Sequence, residues 1–264
     1  MSALARRGLR AEWIKLRSVR STTWTVLAIV AVTVGVSAFL AAVGSTDANK
    51  AGATGDDDVV VNSLRGIWLG QVPMVALGAI AMTSEFATGT IRTTFTALPH
   101  RLNTLAAKAT AVAVLALAVG SVASLLSFLI TQPLLHGGGY VGPAYPIVSL
   151  TDTSAIRAVA GTAVYLTLLA LFATGVAAIV RHTTTATTLV VAVILAPTVA
   201  MEFFPGQLRE LLQQVAPTAG LSIQITSPRY DTPPLGPWGG LTVTAAWTLA
   251  TLLGAAWTIG RRDV

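Results

Sequence analysis

The chain has 264 residues, of which 53% are hydrophobic and 11% charged, with a mean hydropathy of +0.71 and a formal net charge of +6. Soluble domains typically carry about 25% charged residues, so this deficit points to an integral membrane protein. The absence of cysteine excludes disulfides, thiolate metal sites and cysteine nucleophiles, and His100, His136 and His182 lie too far apart in sequence to suggest a metal cluster.

The N-terminal stretch is basic. On an ideal helix Arg6, Arg10, Arg17 and Arg20 share an arc of about 80°, beside Leu9, Trp13 and Leu16 at i, i+4, i+7. This pattern predicts an interfacial helix within residues 1–21, its apolar side in the acyl boundary and its arginines at headgroup phosphates. A plain basic anchor ahead of the first span is the simpler role for the same residues. Arg6-Arg7-Gly8-Leu9 also resembles a twin-arginine export signal. The apolar run behind it, however, exceeds a signal core of about 7–15 residues, and five more spans follow.

Gaps between charged residues count the spans. Arg20 to Asp47 leaves 26 uncharged residues, Arg65 to Glu85 leaves 19, and Lys108 to Asp152 leaves 43. Arg157 to Arg181 leaves 23, Arg181 to Glu202 leaves 20, and Asp231 to Arg261 leaves 29. A helix crossing the hydrocarbon core needs about 20 residues. The longest gap holds one span rather than two, because "TQPLLHGGGYVGPAYP" (Thr131 to Pro146) reads as irregular backbone that lipid would leave unsatisfied. The expected fold is an all-α membrane domain over 1–264 with spans at 22–43, 65–84, 105–130, 155–180, 184–203 and 239–260.

Lysine and arginine set the orientation. With a cytoplasmic N-terminus, twelve of the seventeen basic residues fall on the inside, and Asp47 and Asp56-Asp57-Asp58 fall outside. Both termini are therefore expected in the cytoplasm of a bacterial cell membrane. The net positive charge is then a topology signal and not a nucleic-acid footprint.

Several chemistries are absent. No Asp, Glu, Lys or Arg falls near the centre of a span, where ion-coupled carriers usually keep one. Glu202, in "MEFFPG", reads as an interfacial carboxylate. There is no GxSxG, no HExxH and no GxxxxGK[ST], so no enzymatic role is expected and any ATP hydrolysis belongs to another chain. Ala116, Gly120 and Ser124, and Ala246, Ala250 and Gly254, form small-residue stripes suited to helix packing or to a dimer. Pro197 is expected to kink span five. Within the outer connection 204–238, Leu208, Leu211, Leu212 and Val215 repeat at i, i+3, i+4, i+7 between Pro205 and Pro217. A short amphipathic helix on or in the outer leaflet follows, with "SPRYDTPPLGP" as an irregular tether.

The one sizeable internal loop, 85–103, carries Ile91, Phe95 and Leu98 at i, i+4, i+7, with Glu85 and Arg92 on the other side. Gly89 allows a bend, Pro99 closes the helix and Asn103 suits the next cap. A docking knob for a soluble partner and a membrane-surface helix both fit this pattern.

The run "SEFATGTIRTTFTALPHRLNTLAAKA" resembles the segment after the second span in permease subunits of type II ATP-binding-cassette (ABC) exporters, with an acidic-aromatic pair, a T-G-T-I-R-T-T run, a Pro-basic turn and a later Ala-Lys. "EWIKLRSVRSTTW" before the first span and the C-terminal "GRRDV" fit the same family. The resemblance implies a coupling helix over Glu85 to Pro99 seated in a separate ATPase, with Glu85, Phe86, Gly89, Thr90, Ile91, Arg92, Phe95 and Leu98 as coupling residues. It further implies a connecting helix over Leu4 to Arg20 and an outer gate over Pro205 to Pro217. Two permease subunits, as a homodimer, would work with two ATPase subunits that hold ATP and Mg²⁺. The expected function is ATP-driven export of a hydrophobic or amphipathic substrate. An ion-coupled secondary carrier, and a non-transporting scaffold or sensor, are the competing readings.

Overall fold

The computed structural model describes residues 13–15, 20–51, 58–87, 101–137, 148–204, 206–227 and 235–261. The helices are α1 (Arg20–Ala51), α2 (Val59–Ser63), α3 (Ile67–Ala87), α4 (Arg101–Gly137), α5 (Thr153–Val180), α6 (Thr183–Phe203), α7 (Gln207–Val215) and α8 (Pro237–Arg261). A 3-10 helix, Pro217–Gln224, follows α7, and no strand occurs among the described residues. Six helices, α1, α3, α4, α5, α6 and α8, are long and apolar enough to cross a bilayer. The chain has the architecture of a multi-pass membrane protein.

Successive long helices run in opposite directions, so α1 begins and α8 finishes at one end of the bundle, called here the near end. Aromatic residues mark the slab between the two ends. Trp238 and Trp257 on α8 are both largely exposed and nineteen positions apart. That is about 28 Å of helix, close to the ~30 Å thickness of a hydrocarbon core. Arg261 stacks on Trp257, 4.8 Å from the ring centroid. Exposed Trp24 near the start of α1, and exposed Phe203 and Phe204 at the end of α6, extend the two interfacial belts.

The centre of the bundle is α5. Two-thirds of its span is buried, against 17% for α6. It packs on α3, α4, α8 and the 3-10 helix, while α1 lies against α3 and α4. Small and hydroxylated residues make this close packing possible, since apolar association alone gives little drive between helices in lipid. Thr174 donates to the Gly78 carbonyl (3.1 Å), Ser124 to the Val159 carbonyl (3.1 Å) and Thr248 to the Leu168 carbonyl (3.0 Å). Ala116, Gly120 and Ser124 seat α4 on α5, which makes that stripe an internal packing face. Ala246 and Ala250 of the second stripe are exposed.

The structure moves several sequence-based boundaries. α1 continues past residue 43, through Asp47 and Lys50, to Ala51. α4 runs to Gly137 through Pro133, overtaking the stretch from Thr131 that reads as irregular. The reason is local polar pairing. Thr131 donates to the Ser127 carbonyl (2.6 Å), Gln132 to the Ser63 hydroxyl (3.1 Å), and the His136 Nδ1 pairs with the Gln132 carbonyl (2.8 Å). Span two begins at Ile67 instead of 65, preceded by α2 and a turn. Pro197 lies inside a continuous α6.

α3 and α5 approach each other tightly at Gly78, where an added Cβ would collide with the Ala170 carbonyl. Overpacking of this kind typically costs about 1–3 kcal/mol. Gly78→Ala should lower the unfolding temperature in detergent, whereas Gly137→Ala, with open space around it, should not. A thermal melt of both variants checks this.

Candidate functional site

The far end is closed by a hairpin that turns back into the bundle. After α6, Gly206 (φ 75°) redirects the chain into α7, which descends beside α6 and α8. At the tip, the Val215 carbonyl accepts a hydrogen bond from the Trp247 indole N–H (2.8 Å). The Pro217 carbonyl accepts one from the Thr244 hydroxyl (2.7 Å). Measured along α8 from Trp238, Thr244 and Trp247 lie about 9–14 Å in, inside the apolar slab. Carbonyls left free where two short helices meet at that depth need protein donors, and these two side chains supply them. Trp247 is itself steadied by an edge-to-face contact with Phe172, centroids 5.9 Å apart.

The 3-10 helix then climbs back out, and its partners rise with it. Gly220 faces Thr244 and Tyr165, Gln224 donates to the Thr162 hydroxyl (3.1 Å), and Arg157 donates to the Ile225 carbonyl (2.6 Å). Thr162 and Arg157 lie progressively closer to the start of α5. Glycine is required at Gly161 and Gly240, where a Cβ would strike Ile223 and the Ala219 carbonyl. Deeper still, buried Tyr165 donates to the Gln71 side-chain oxygen (2.8 Å), and the Gln71 amide donates to the Trp68 carbonyl (3.1 Å). This polar seam ties α3 to α5 beneath the hairpin.

A second inward segment, α2 with its turn, meets the hairpin through Asp58. Its carboxylate is 1% exposed and caps α2 by accepting from the N–H groups of Val60 (2.9 Å) and Val61 (3.2 Å). It also accepts from the Thr226 N–H and hydroxyl and from the Ser227 N–H (2.7 Å). Among the described residues no lysine, arginine or histidine forms an ion pair with it, so five neutral donors solvate the charge. One buried carboxylate thus fastens two segments about 168 residues apart.

Of the predicted gate residues, Leu208, Leu211 and Val215 are exposed on α7 and Leu212 is half-buried. Their apolar stripe therefore points away from the core of the single chain. At the near end, Glu85 and Phe86 lie in the last turn of α3. Gly89, Thr90, Ile91, Arg92, Phe95 and Leu98 lie outside the described residues, as do Arg6, Arg10 and Arg17. Trp13 is helical and half-buried, and Arg20 opens α1, exposed. The arms flanking 88–100 are well tied. The Lys108 ammonium, buried in α4, donates to the Ala81 carbonyl (3.2 Å), and the Thr83 and Thr183 hydroxyls pair at 2.6 Å.

Asp58, Tyr165, Gln71 and the 3-10 helix are absent from the sequence-based candidates. The signals were the last Asp of the Asp56-Asp57-Asp58 run, directly before Val59-Val60-Val61, and lone Gln and Tyr residues in apolar stretches. No protein-family model matches the chain, and no curated protein matches it.

Hydrogen bonds to a charged group are worth about 1.5–3 kcal/mol each. Asp58→Ala, which removes five of them, should destabilise the protein by about 2 kcal/mol or more. Glu202→Ala, removing an exposed carboxylate, should cost about 0.5 kcal/mol or less. Denaturant unfolding in detergent measures both. Tyr165→Phe should cost about 1–3 kcal/mol by orphaning the Gln71 oxygen. Adding Gln71→Leu should recover part of that loss in a double-mutant cycle.

Proposed function

We propose that this chain is the membrane-spanning permease subunit of a type II ABC exporter, moving a hydrophobic or amphipathic substrate with energy from a separate ATPase. The observation that carries the reading is the run from Ser84 to Ala109, quoted above, lying between the second and third bilayer-length helices. Its flanking arms, α3 and α4, meet at the near end, which also holds Arg20 and Arg261. Under the positive-inside rule that end is cytoplasmic, within reach of a soluble ATPase. The chain has no nucleotide-binding P-loop of its own.

In this reading the 85–99 segment seats in the ATPase, and closure of two ATPase subunits on ATP drives a rigid-body switch in a pair of permeases. The hairpin 206–227 then acts as the outer gate, since it fills the far end where substrate would leave. The lightly covered face of α6 suits the second permease copy.

Replacing the apolar stripe of the loop tests the docking step. Phe95→Asp and Ile91→Asp should each release the ATP-binding subunit in a pull-down, while insertion and association of the permease persist. Unchanged ATPase capture in both variants would remove this loop as the docking element. A purified wild-type protein that brings down no ATP-binding subunit would sink the exporter reading itself.

A further inference from the structure

The near-end ties and the far-end hairpin are joined by one helix. Thr183 is the first residue of α6, and its hydroxyl lies 2.6 Å from that of buried Thr83 in the last turns of α3. The Thr83 hydroxyl is also within hydrogen-bond distance of the Ala79 carbonyl (2.9 Å), so the pair is tied into the α3 backbone. Four residues after Thr83, α3 ends at Ala87 and leads into 88–100. At its other end α6 finishes at Phe203 and enters the hairpin through Gly206.

The packing of α6 suits movement. It buries only Ala186, Val190 and Ile194, a single row at i, i+4, i+8 against α3 and α5. With Val191 and Val193 half-buried beside that row, the contact is narrow enough for the helix to tilt with little repacking of the core, the small displacement typical of shear motions. Its link to α5 is just Arg181 and His182, and Arg181 adopts a left-handed backbone (φ 62°) that turns the chain sharply. The pivot is thus at the near end, beside the Thr83–Thr183 pair, and the opposite end of α6 leads into the hairpin.

We propose that α6 is a lever, anchored by the Thr183–Thr83 hydrogen bond, that carries movement of the α3 end to the hairpin 206–227. The proposal rests on the exporter reading only for the source of the movement, which would be the ATPase acting on 88–100. The mechanical link is a property of this chain and is testable without any partner.

The test uses the full chain in lipid nanodiscs with Ser222→Cys as reporter. The natural chain has no cysteine, so the reporter thiol is unique, and Ser222 is 6% exposed within the hairpin. Thr183→Val and Thr83→Val each remove one side of the pair while keeping side-chain volume. The expected result is faster labelling of the reporter by a water-soluble maleimide, by about fivefold or more as expected for coupled sites, with Thr183→Ser restoring the original rate. Thr167→Val is the control, because the Thr167 hydroxyl is spent on its own helix at the Ala163 carbonyl (2.7 Å). Its rate should stay within about twofold. Unchanged labelling in both Thr183→Val and Thr83→Val, or an equal rise in Thr167→Val, would overturn the lever. Neither outcome depends on whether an ATPase is ever captured.

Discussion

Irregular backbone inside an apolar slab has to bring its own hydrogen-bond partners, and the far end of this protein is organised around that constraint. The hairpin 206–227 descends to the level of Trp247 and returns, and the Val215 and Pro217 carbonyls at its tip each meet a donor from α8. Leaving such groups unpaired in hydrocarbon would cost several kcal/mol apiece. The buried Asp58 carboxylate completes the arrangement, because it gathers donors from both inward segments at once. The Asp58 oxygens keep all five donors only while the hairpin and α2 are docked on each other.

The rest of the bundle divides into a fixed part and a loose part. α5 is held on several sides by small residues and by hydroxyl–carbonyl bonds: its Thr174 donates to α3, and Ser124 of α4 and Thr248 of α8 donate to its own carbonyls. α6 is attached along one narrow row and by one polar pair. Such a division suits a transporter, in which a rigid scaffold must stay put while one element links an input end to a gate. The exporter proposal gives each part a role: the near-end loop receives the push, α6 carries it and the hairpin yields.

The six spans were legible because charge gaps measure hydrocarbon-length helices directly, and α7 was legible from Leu208, Leu211, Leu212 and Val215. The ends of α1 and α4 were not. Asp47 and Lys50 read as loop although the helix runs past them, and Pro133 with the glycines after His136 masked a last turn held by Thr131 and Gln132. The 3-10 helix has no periodic pattern in "PTAGLSIQ". Its burial comes from tertiary fit against Gly161 and Gly240, which no local sequence signal encodes. Asp58 was hidden for a different reason: it ends a run of three Asp, and its burial shows only in the fold.

The account turns on the hairpin being inside the membrane and not lying across its surface. Spin labels placed singly at Leu208→Cys and Val215→Cys in bilayers would measure this by their relaxation with oxygen and with a water-soluble nickel chelate. Val215, at the tip beside Trp247, should show high oxygen and low nickel accessibility, deeper than Leu208 by about 10 Å of helix. Equal depths for the two labels, with nickel reaching both, would place the segment on the surface and contradict the account.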